Sequence, residues 1–329
     1  MEKLRDGKPD NNFWTAILWQ KYAARLLLIL VLLAMAVFLS LRSPFFLRPN
    51  NIKNILNQMS AYLTLSVGMS FVIVSGGIDL SVGSIIAASA VAAGAAMKAG
   101  LPVGAAILLG LLLGALIGAV SGLIISRVGI NALIVTLSMM SIVRGSTILL
   151  TNGKPIFGFA KDFTWWGSAG DGLINPPIAI SFGVLILGAL ALERTKLGRY
   201  TFAMGSNEDA LRKTGVNICL YKICVYAISG LCAAITGFIL AARLNTAEPL
   251  AGSGYEMDAI AAVVLGGTSI RGGSGSIGGT FIACLIFAVM RNGLNILSIS
   301  SNYQQLLAGL IIMVAVGVSE LRRGRAREI

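Results

Sequence analysis

Chemistry at neutral pH usually needs a residue that titrates there or a bound metal, and this sequence offers little of either. There is no histidine among its 329 residues, which removes imidazole acid–base catalysis and the commonest metal ligand together. Cys219, Cys224, Cys232 and Cys284 fall in or beside apolar runs with no C-x-x-C spacing. That is the pattern of buried thiols, not of a disulfide frame or a zinc site. Gly273-Ser274-Gly275-Ser276-Ile277-Gly278 matches G-x-G-x-x-G in form, but a dinucleotide fold needs an acidic residue about 20 positions later. No Asp or Glu stands between Asp258 and Glu320. No G-x-x-x-x-G-K-[ST] occurs either, so any ATP that drives this chain must sit on another subunit. No catalytic residue, metal site or cofactor is expected on the chain, and a membrane-embedded enzyme is disfavoured.

What remains is backbone chemistry and a few charges. Two glycine-rich interruptions stand out, Gly76-Gly77-Ile78-Asp79-Leu80-Ser81-Val82-Gly83-Ser84 and Gly266-Gly267 through Gly275. Glycine pairs break membrane helices, and the freed peptide groups are tolerated only inside protein or beside a water-filled cavity. In transporters such breaks point to the substrate pathway, while in any bundle they also serve as tight turns. Gly76, Gly77, Asp79, Ser81, Gly83, Gly266 and Gly267 are therefore pathway or gating candidates. Arg144 and Asp258 lie within apolar runs, where charges usually face the bundle interior or a cavity. Both fall towards the outer side, so they are placed to pair, although snorkelling explains each equally well.

The elements that position these residues follow from composition. The chain is 56% hydrophobic and 12% charged, about half the usual charged share, and its mean hydropathy is +0.83. This is an integral membrane protein, all-α. Against about 20 residues per span, the apolar runs predict about ten helices, at 24–41, 56–75, 81–97, 102–125, 131–150, 178–192, 222–242, 257–267, 276–290 and 303–319. The first is read as a retained helix, because Ala34-Met35-Ala36, which looks like a cleavage site, lies inside the run. With the N-terminus inside, 17 of the 26 basic residues fall on inner segments and 8 on outer ones, Arg144 lying within a span. That asymmetry predicts N-in and C-in. The expected organisation is a cytoplasmic segment 1–25, one transmembrane domain 26–320 and a basic cytoplasmic tail 321–329. The net charge of +12 sits beside the spans and forms no single basic face, so it speaks for lipid and against nucleic acid.

Three further features matter. Gly110, Gly114, Gly118 and Gly122 recur every fourth residue, a face that lets another helix approach closely. An outer segment, 151–177, carries Trp165-Trp166. The inner loop 193–222 holds a short helix of its own: Ser206 as N-cap with Asp209 three residues on, Glu208 in the first turn, Arg212 and Lys213 in the last, and Gly215 as the stop. About two turns of helix are marginal alone, so this element is either a plain link or a docking element for a cytoplasmic partner.

At these residues the chain resembles a known family. The Gly76–Ser84 stretch resembles the signature of permease subunits of bacterial ABC importers for monosaccharides, the ribose-type group. Gly198-Arg199-Tyr200, Gly205-Ser206-Asn207-Glu208 and Thr214-Gly215-Val216-Asn217 are similar to that family's cytoplasmic loop. Gly254 through Thr268 matches its late motif, and Asn292-Gly293-Leu294-Asn295 extends it. The resemblance runs from about residue 40 to residue 320. It implies the ABC importer permease fold in the bacterial inner membrane, a second permease chain (identical or related), an ATP-binding cassette subunit holding ATP and Mg, and a periplasmic sugar-binding protein. The helix docking on the cassette then falls on Gly205 to Gly215, with Gly205, Ser206, Asn207, Glu208, Arg212 and Gly215 as coupling residues. The binding protein would meet 151–177 and 243–256. A neutral sugar needs hydroxyl and amide groups along its passage, for which Asn54, Asn57, Ser60, Asn131 and Asn295 are candidates. Two other readings stay open, an ion-coupled secondary transporter and an ABC permease for branched-chain amino acids or a sugar-like signal.

Overall fold

The computed structural model describes residues 11–168 and 174–299, with single positions at 303, 306, 309, 310 and 313, and side chains from residue 26 onward. The expected tenth span, the basic tail and the first ten residues lie wholly or largely outside the described residues. The elements run α1 (Asn11–Arg42), α2 (Pro49–Val74), α3 (Val82–Lys98), α4 (Val103–Val128), α5 (Ala132–Thr151), β1 (Ile156–Phe157), α6 (Lys161–Ser168), α7 (Pro176–Arg194), α8 (Lys196–Lys213), α9 (Ile218–Leu244), β2 (Thr246–Ala247), α10 (Tyr255–Leu265) and α11 (Ile277–Ile296). Five of them, α4, α5, α7, α9 and α11, are long and apolar enough to cross a membrane. Nine of the ten expected runs coincide with helices. The additional ones are α6, inside 151–177, and α8, whose second part is the expected loop helix.

The bundle has two ends. One carries α8 and the turn after α10. The other carries the β1–β2 pair, antiparallel with Ile156 opposite Ala247, and α6 with its tryptophans. α2 is 26 residues long yet does not belong to the five apolar spans. Its middle is enclosed by other helices, with Ser60, Thr64, Ser66 and Ser70 all buried. A helix facing protein on every side needs no lipid-compatible surface, and most of these hydroxyls satisfy themselves on the preceding turn, as Thr64 Oγ1 does on the Ser60 carbonyl at 2.9 Å and Ser70 Oγ on the Ser66 carbonyl at 2.8 Å, while Ser66 Oγ has no hydrogen-bond partner among the described residues.

The glycine stripe of α4 is the contact with α9. A methyl group on Gly114 would meet Ala234 and the Gly230 carbonyl; one on Gly118, the Tyr226 carbonyl and Gly230 N; one on Gly122, the Lys222 carbonyl. Gly110 instead lies against Ser89 of α3. Close backbone approach is how helices without a hydrophobic driving force gain packing energy in lipid. Gly118→Ala should therefore destabilise the detergent-extracted protein by about 1–3 kcal/mol, although alanine is the better helix former by about 1 kcal/mol. Gly104→Ala, in the same helix with nothing near its Cα, should leave the thermal midpoint unchanged or raise it. Equal effects at both positions would show that the stripe is not the α4–α9 contact.

Candidate functional site

Two non-helical segments enter the bundle from opposite ends and meet inside it. The first follows α2. Gly76 turns the chain at φ +86°, and Asp79, with no exposed surface, closes the segment. Its Oδ1 accepts from Ser81 N at 3.0 Å and Ser81 Oγ at 2.6 Å, and its Oδ2 from Ser229 Oγ at 2.8 Å. Ser229 is the twelfth residue of α9, about 17 Å along that helix from the α8 end. The chain thus climbs deep into the bundle before α3 begins, and Thr136 of α5 donates to the Ile78 carbonyl at 3.2 Å on the way. Asp79 therefore ties down the turn that leads into α3, holding its N-cap residue Ser81 through both amide and hydroxyl.

The second segment follows β2. Arg144 Nη1 donates to the carbonyls of Pro249 and Ala251, both at 2.8 Å, holding residues 248–254 inside the bundle. Gly252 and Gly254 both have positive φ, +74° and +84°, and Gly254 opens α10. With 11 residues, α10 rises about 16 Å, roughly half a hydrocarbon core. The two segments touch at Gly83, where a methyl group would strike the Glu256 carboxylate and the Gly252 carbonyl. Glu256 folds back so that its Oε1 accepts from Gly254 N at 3.2 Å, while its Oε2 is buried without a hydrogen-bond partner among the described residues.

Arg144 thus holds backbone, not Asp258, which corrects the pair expected from sequence. Asp258 Oδ2 accepts from Arg291 Nη2 at 2.6 Å. Arg291 also donates to the Tyr62 hydroxyl, with its guanidinium over the Tyr62 ring at 4.5 Å, and Tyr62 packs on Tyr255 with centroids 4.8 Å apart. From sequence the apolar run ends at 290, which places Arg291 in a loop. The missed signal is that α11 continues through Asn292, which exchanges two amide hydrogen bonds with Asn51 at 3.0 and 2.8 Å. Asn57 is held by the Asn175 amide at 2.7 Å and by Arg243 on its carbonyl at 2.8 Å. Ser60 donates to the Asn57 carbonyl at 2.8 Å. Asn131 caps α5 through Leu133 N at 2.9 Å, and Asn54 and Asn295 are exposed.

At the α8 end, both glycine-rich breaks converge on Gly205, just before the loop helix. Gly273 N donates to the Val74 carbonyl at 2.9 Å. A methyl group on Gly205 would meet Val74 and Gly273 backbone, and one on Gly272 would meet Gly76 and Gly205. Gly205 is a packing residue in this three-way glycine junction, not a face open to a partner. Gly266 packs on the backbone of Gly279 and Thr280, and Gly267 turns at φ +90° with open space around it.

Beyond the junction α8 breaks. Asn207 has φ −162° and ψ 97°, and its Oδ1 accepts from Ala210 N at 2.9 Å. Asn207, not Ser206, is thus the N-cap of the short helix. The Ser206 hydroxyl donates instead to the Phe202 carbonyl at 3.0 Å, closing the helix before it. The cap moved by one residue because Asn and Ser cap comparably and only Asn207 leaves the helical region. Gly215, at φ +82°, terminates the helix as expected. Leu211 is its buried anchor, while Asp209, Ala210, Arg212 and Lys213 are exposed. Glu208 ties the helix to α9 and to itself, at 2.7 Å from Lys222 and 2.9 Å from Arg212. Partial burial pushes the Glu208 carboxyl up, but Lys222 and Arg212 outweigh it and hold the carboxyl below its ordinary range. Because the folded value is depressed, the bridges hold through neutral pH and fade only as pH falls through that lowered value.

Residues 51–316 match the family described as branched-chain amino acid transport system, permease component. The chain belongs to this permease family. It is 43% identical over 305 residues to the ribose import permease protein RbsC of Escherichia coli K12, covering 90% of this chain and 93% of that one. It is 42% identical to RbsC of Bacillus subtilis strain 168, covering 87% and 89%. To the L-arabinose transport system permease protein AraH of Escherichia coli K12 it is 36% identical, covering 94% and 93%. No solved structure matches.

The corrected pairing has a direct test. A double-mutant cycle on Asp258→Asn and Arg291→Met, read as thermal midpoints in detergent, should give a coupling of about 0.5–3 kcal/mol. The cycle on Asp258→Asn and Arg144→Met should give none. Coupling in the second cycle and not in the first would reinstate the sequence-based pair.

Proposed function

We propose that this chain is the membrane permease subunit of an ATP-driven importer for a monosaccharide, a ribose-like pentose or a hexose, in the bacterial inner membrane. The observation that carries the reading is the short helix Glu208–Lys213. It begins at the Asn207 cap, stops at Gly215 and is anchored by one buried leucine; Asp209, Ala210, Arg212 and Lys213 are exposed, and it follows directly on a junction that joins both glycine-rich breaks. An element built that way transmits motion from a partner into the bundle. No nucleotide motif exists on the chain, so the partner is an ATP-binding cassette subunit that holds ATP and Mg. The relatives' names favour sugar over the amino acids of the family's description.

Ten spans with both termini inside place the α8 end in the cytoplasm and the β1–β2 end outside, where a periplasmic sugar-binding protein would dock. A second permease chain, a copy or a relative, completes the passage. In support, Ser138 and Ser141 of α5 and Ser253 are exposed at membrane depth, where polar groups are covered by protein or water. The two acids that sequence offered to an ion-coupled transporter are engaged, Asp79 by Ser81 and Ser229 and Asp258 by Arg291, so that alternative would have to rest on Glu256, whose Oε2 is buried without a partner among the described residues.

Gly205→Asp would break the junction itself, so the sharper probe is Ala210→Trp on the open face. Tagged protein extracted gently should bring down a cassette subunit. Ala210→Trp should lose it, and lose uptake, at an unchanged thermal midpoint. Retention of cassette and uptake in Ala210→Trp would place docking elsewhere, and a wild-type preparation without any ATPase in several mild detergents would refute the importer.

A further inference from the structure

Between the short helix and the bundle lies a cavity of about 370 Å³, within the usual range of small-molecule sites, about 300–1,000 Å³. Its walls join four elements: Gly76 and Gly77 of the first broken segment, Ser126 and Asn131 at the α4–α5 turn, Glu208 of the short helix and Tyr226 of α9. Tyr226 is 1% exposed, and its hydroxyl, beside Gly77, has no hydrogen-bond partner among the described residues. A buried hydroxyl left alone costs about 1–3 kcal/mol, a cost that a bound partner would remove. We propose that this cavity is a cytoplasmic binding site for a small neutral polyhydroxylated molecule, namely the imported sugar itself, and that its occupancy slows the transporter.

The lining chooses the ligand. Glu208 already balances Lys222 and Arg212, at 2.7 and 2.9 Å, so an anion would have to compete with a carboxylate for both cations. A polyol meets the groups as they stand. The Tyr226 hydroxyl both donates and accepts, the Asn131 amide has donors left over after capping α5 through its oxygen, and Ser75 donates to the Val72 carbonyl at 2.7 Å, keeping lone pairs free; Ser126 Oγ lies 3.2 Å from both the Leu123 carbonyl and Cys219 Sγ. A ligand here bridges the short helix to the α4–α5 turn and so favours whichever arrangement keeps those two together. Sugar accumulating inside would then hold the coupling helix against the bundle.

The inference rests on the importer reading, and the test separates the two. The complex of this permease with its cassette subunit is reconstituted with ATP inside proteoliposomes, with binding protein and labelled D-ribose outside. Uptake into vesicles without internal sugar tests the importer. Preloading with millimolar D-ribose, against vesicles matched in osmolarity with potassium chloride, should lower the ATPase rate severalfold. Tyr226→Phe should raise the internal concentration needed for half-inhibition about fivefold, as for one lost hydrogen bond. Ser126→Met, which fills the cavity, should abolish inhibition, both variants working normally in vesicles without internal sugar. An ATPase rate indifferent to internal ribose, or equal inhibition of all three proteins, overturns the proposal and leaves the cavity to water. If the variants are inactive, or no ribose is taken up, equilibrium binding of tritiated D-ribose to the purified complex without binding protein decides. Binding lost in Ser126→Met supports the site, and no binding to the wild type refutes it.

Discussion

Backbone that leaves the helix at membrane depth must find its hydrogen bonds within the protein, and the rest of this structure is arranged around that constraint. Two segments do so, 75–81 and 248–254. The chain supplies a dedicated side chain for each. Asp79 closes the first by taking two bonds from Ser81 and one from Ser229. Arg144 closes the second by giving two bonds to carbonyls. One segment is held by an acceptor and the other by a donor, matching what each backbone leaves exposed: amide hydrogens at the opening of α3, and carbonyl oxygens in the turn before α10.

The same constraint explains why small residues gather where they do. At Gly83–Gly252, and again at Gly76–Gly205–Gly272–Gly273, backbone lies on backbone with no side chain between. Such contacts are short-ranged and resist compression, so they carry displacement better than an interface of long flexible side chains. A shift of the short helix would reach Gly76 through Gly205, just before the break at Asn207, and from there Gly83 and Gly252 through the segment closed by Asp79. A docked ATPase and a docked binding protein would then act on one connected train of broken segments, with Arg144 as the fixed point of the outer one.

Composition and periodicity made much of this legible. The run lengths located nine helices, the glycine spacing on α4 identified a helix contact, and the two glycine breaks marked the segments that meet beneath α8. What escaped depends on three-dimensional pairing. A single acid and a single base in predicted spans invite pairing, but Asp258 had a nearer partner, Arg291, hidden because a charged residue looks like the end of an apolar run. The break before α10 was missed because Pro249 to Gly254 reads as an ordinary loop, and only Arg144 shows that it lies inside. The cap slipped from Ser206 to Asn207 because neighbouring residues were both chemically fit for it, and backbone geometry alone chose.

The broken helices also bear on the nature of the cargo. A half-helix that begins inside a membrane presents free amide hydrogens and the positive end of its dipole, and in transporters of anions that end meets the substrate. Here α3 and α10 both begin within the bundle, and each carries its own carboxylate at the opening, Asp79 for α3 and Glu256 for α10. Each carboxyl already takes an amide hydrogen at that opening, Asp79 from Ser81 N and Glu256 from Gly254 N, so an anion approaching either start meets a donor that is engaged. Arg144, the charge nearest the second opening, spends one nitrogen on two carbonyls. Two helix starts whose first amides are already taken from within offer an anion little to bind, and that agrees with the neutral sugars named for the chain's relatives.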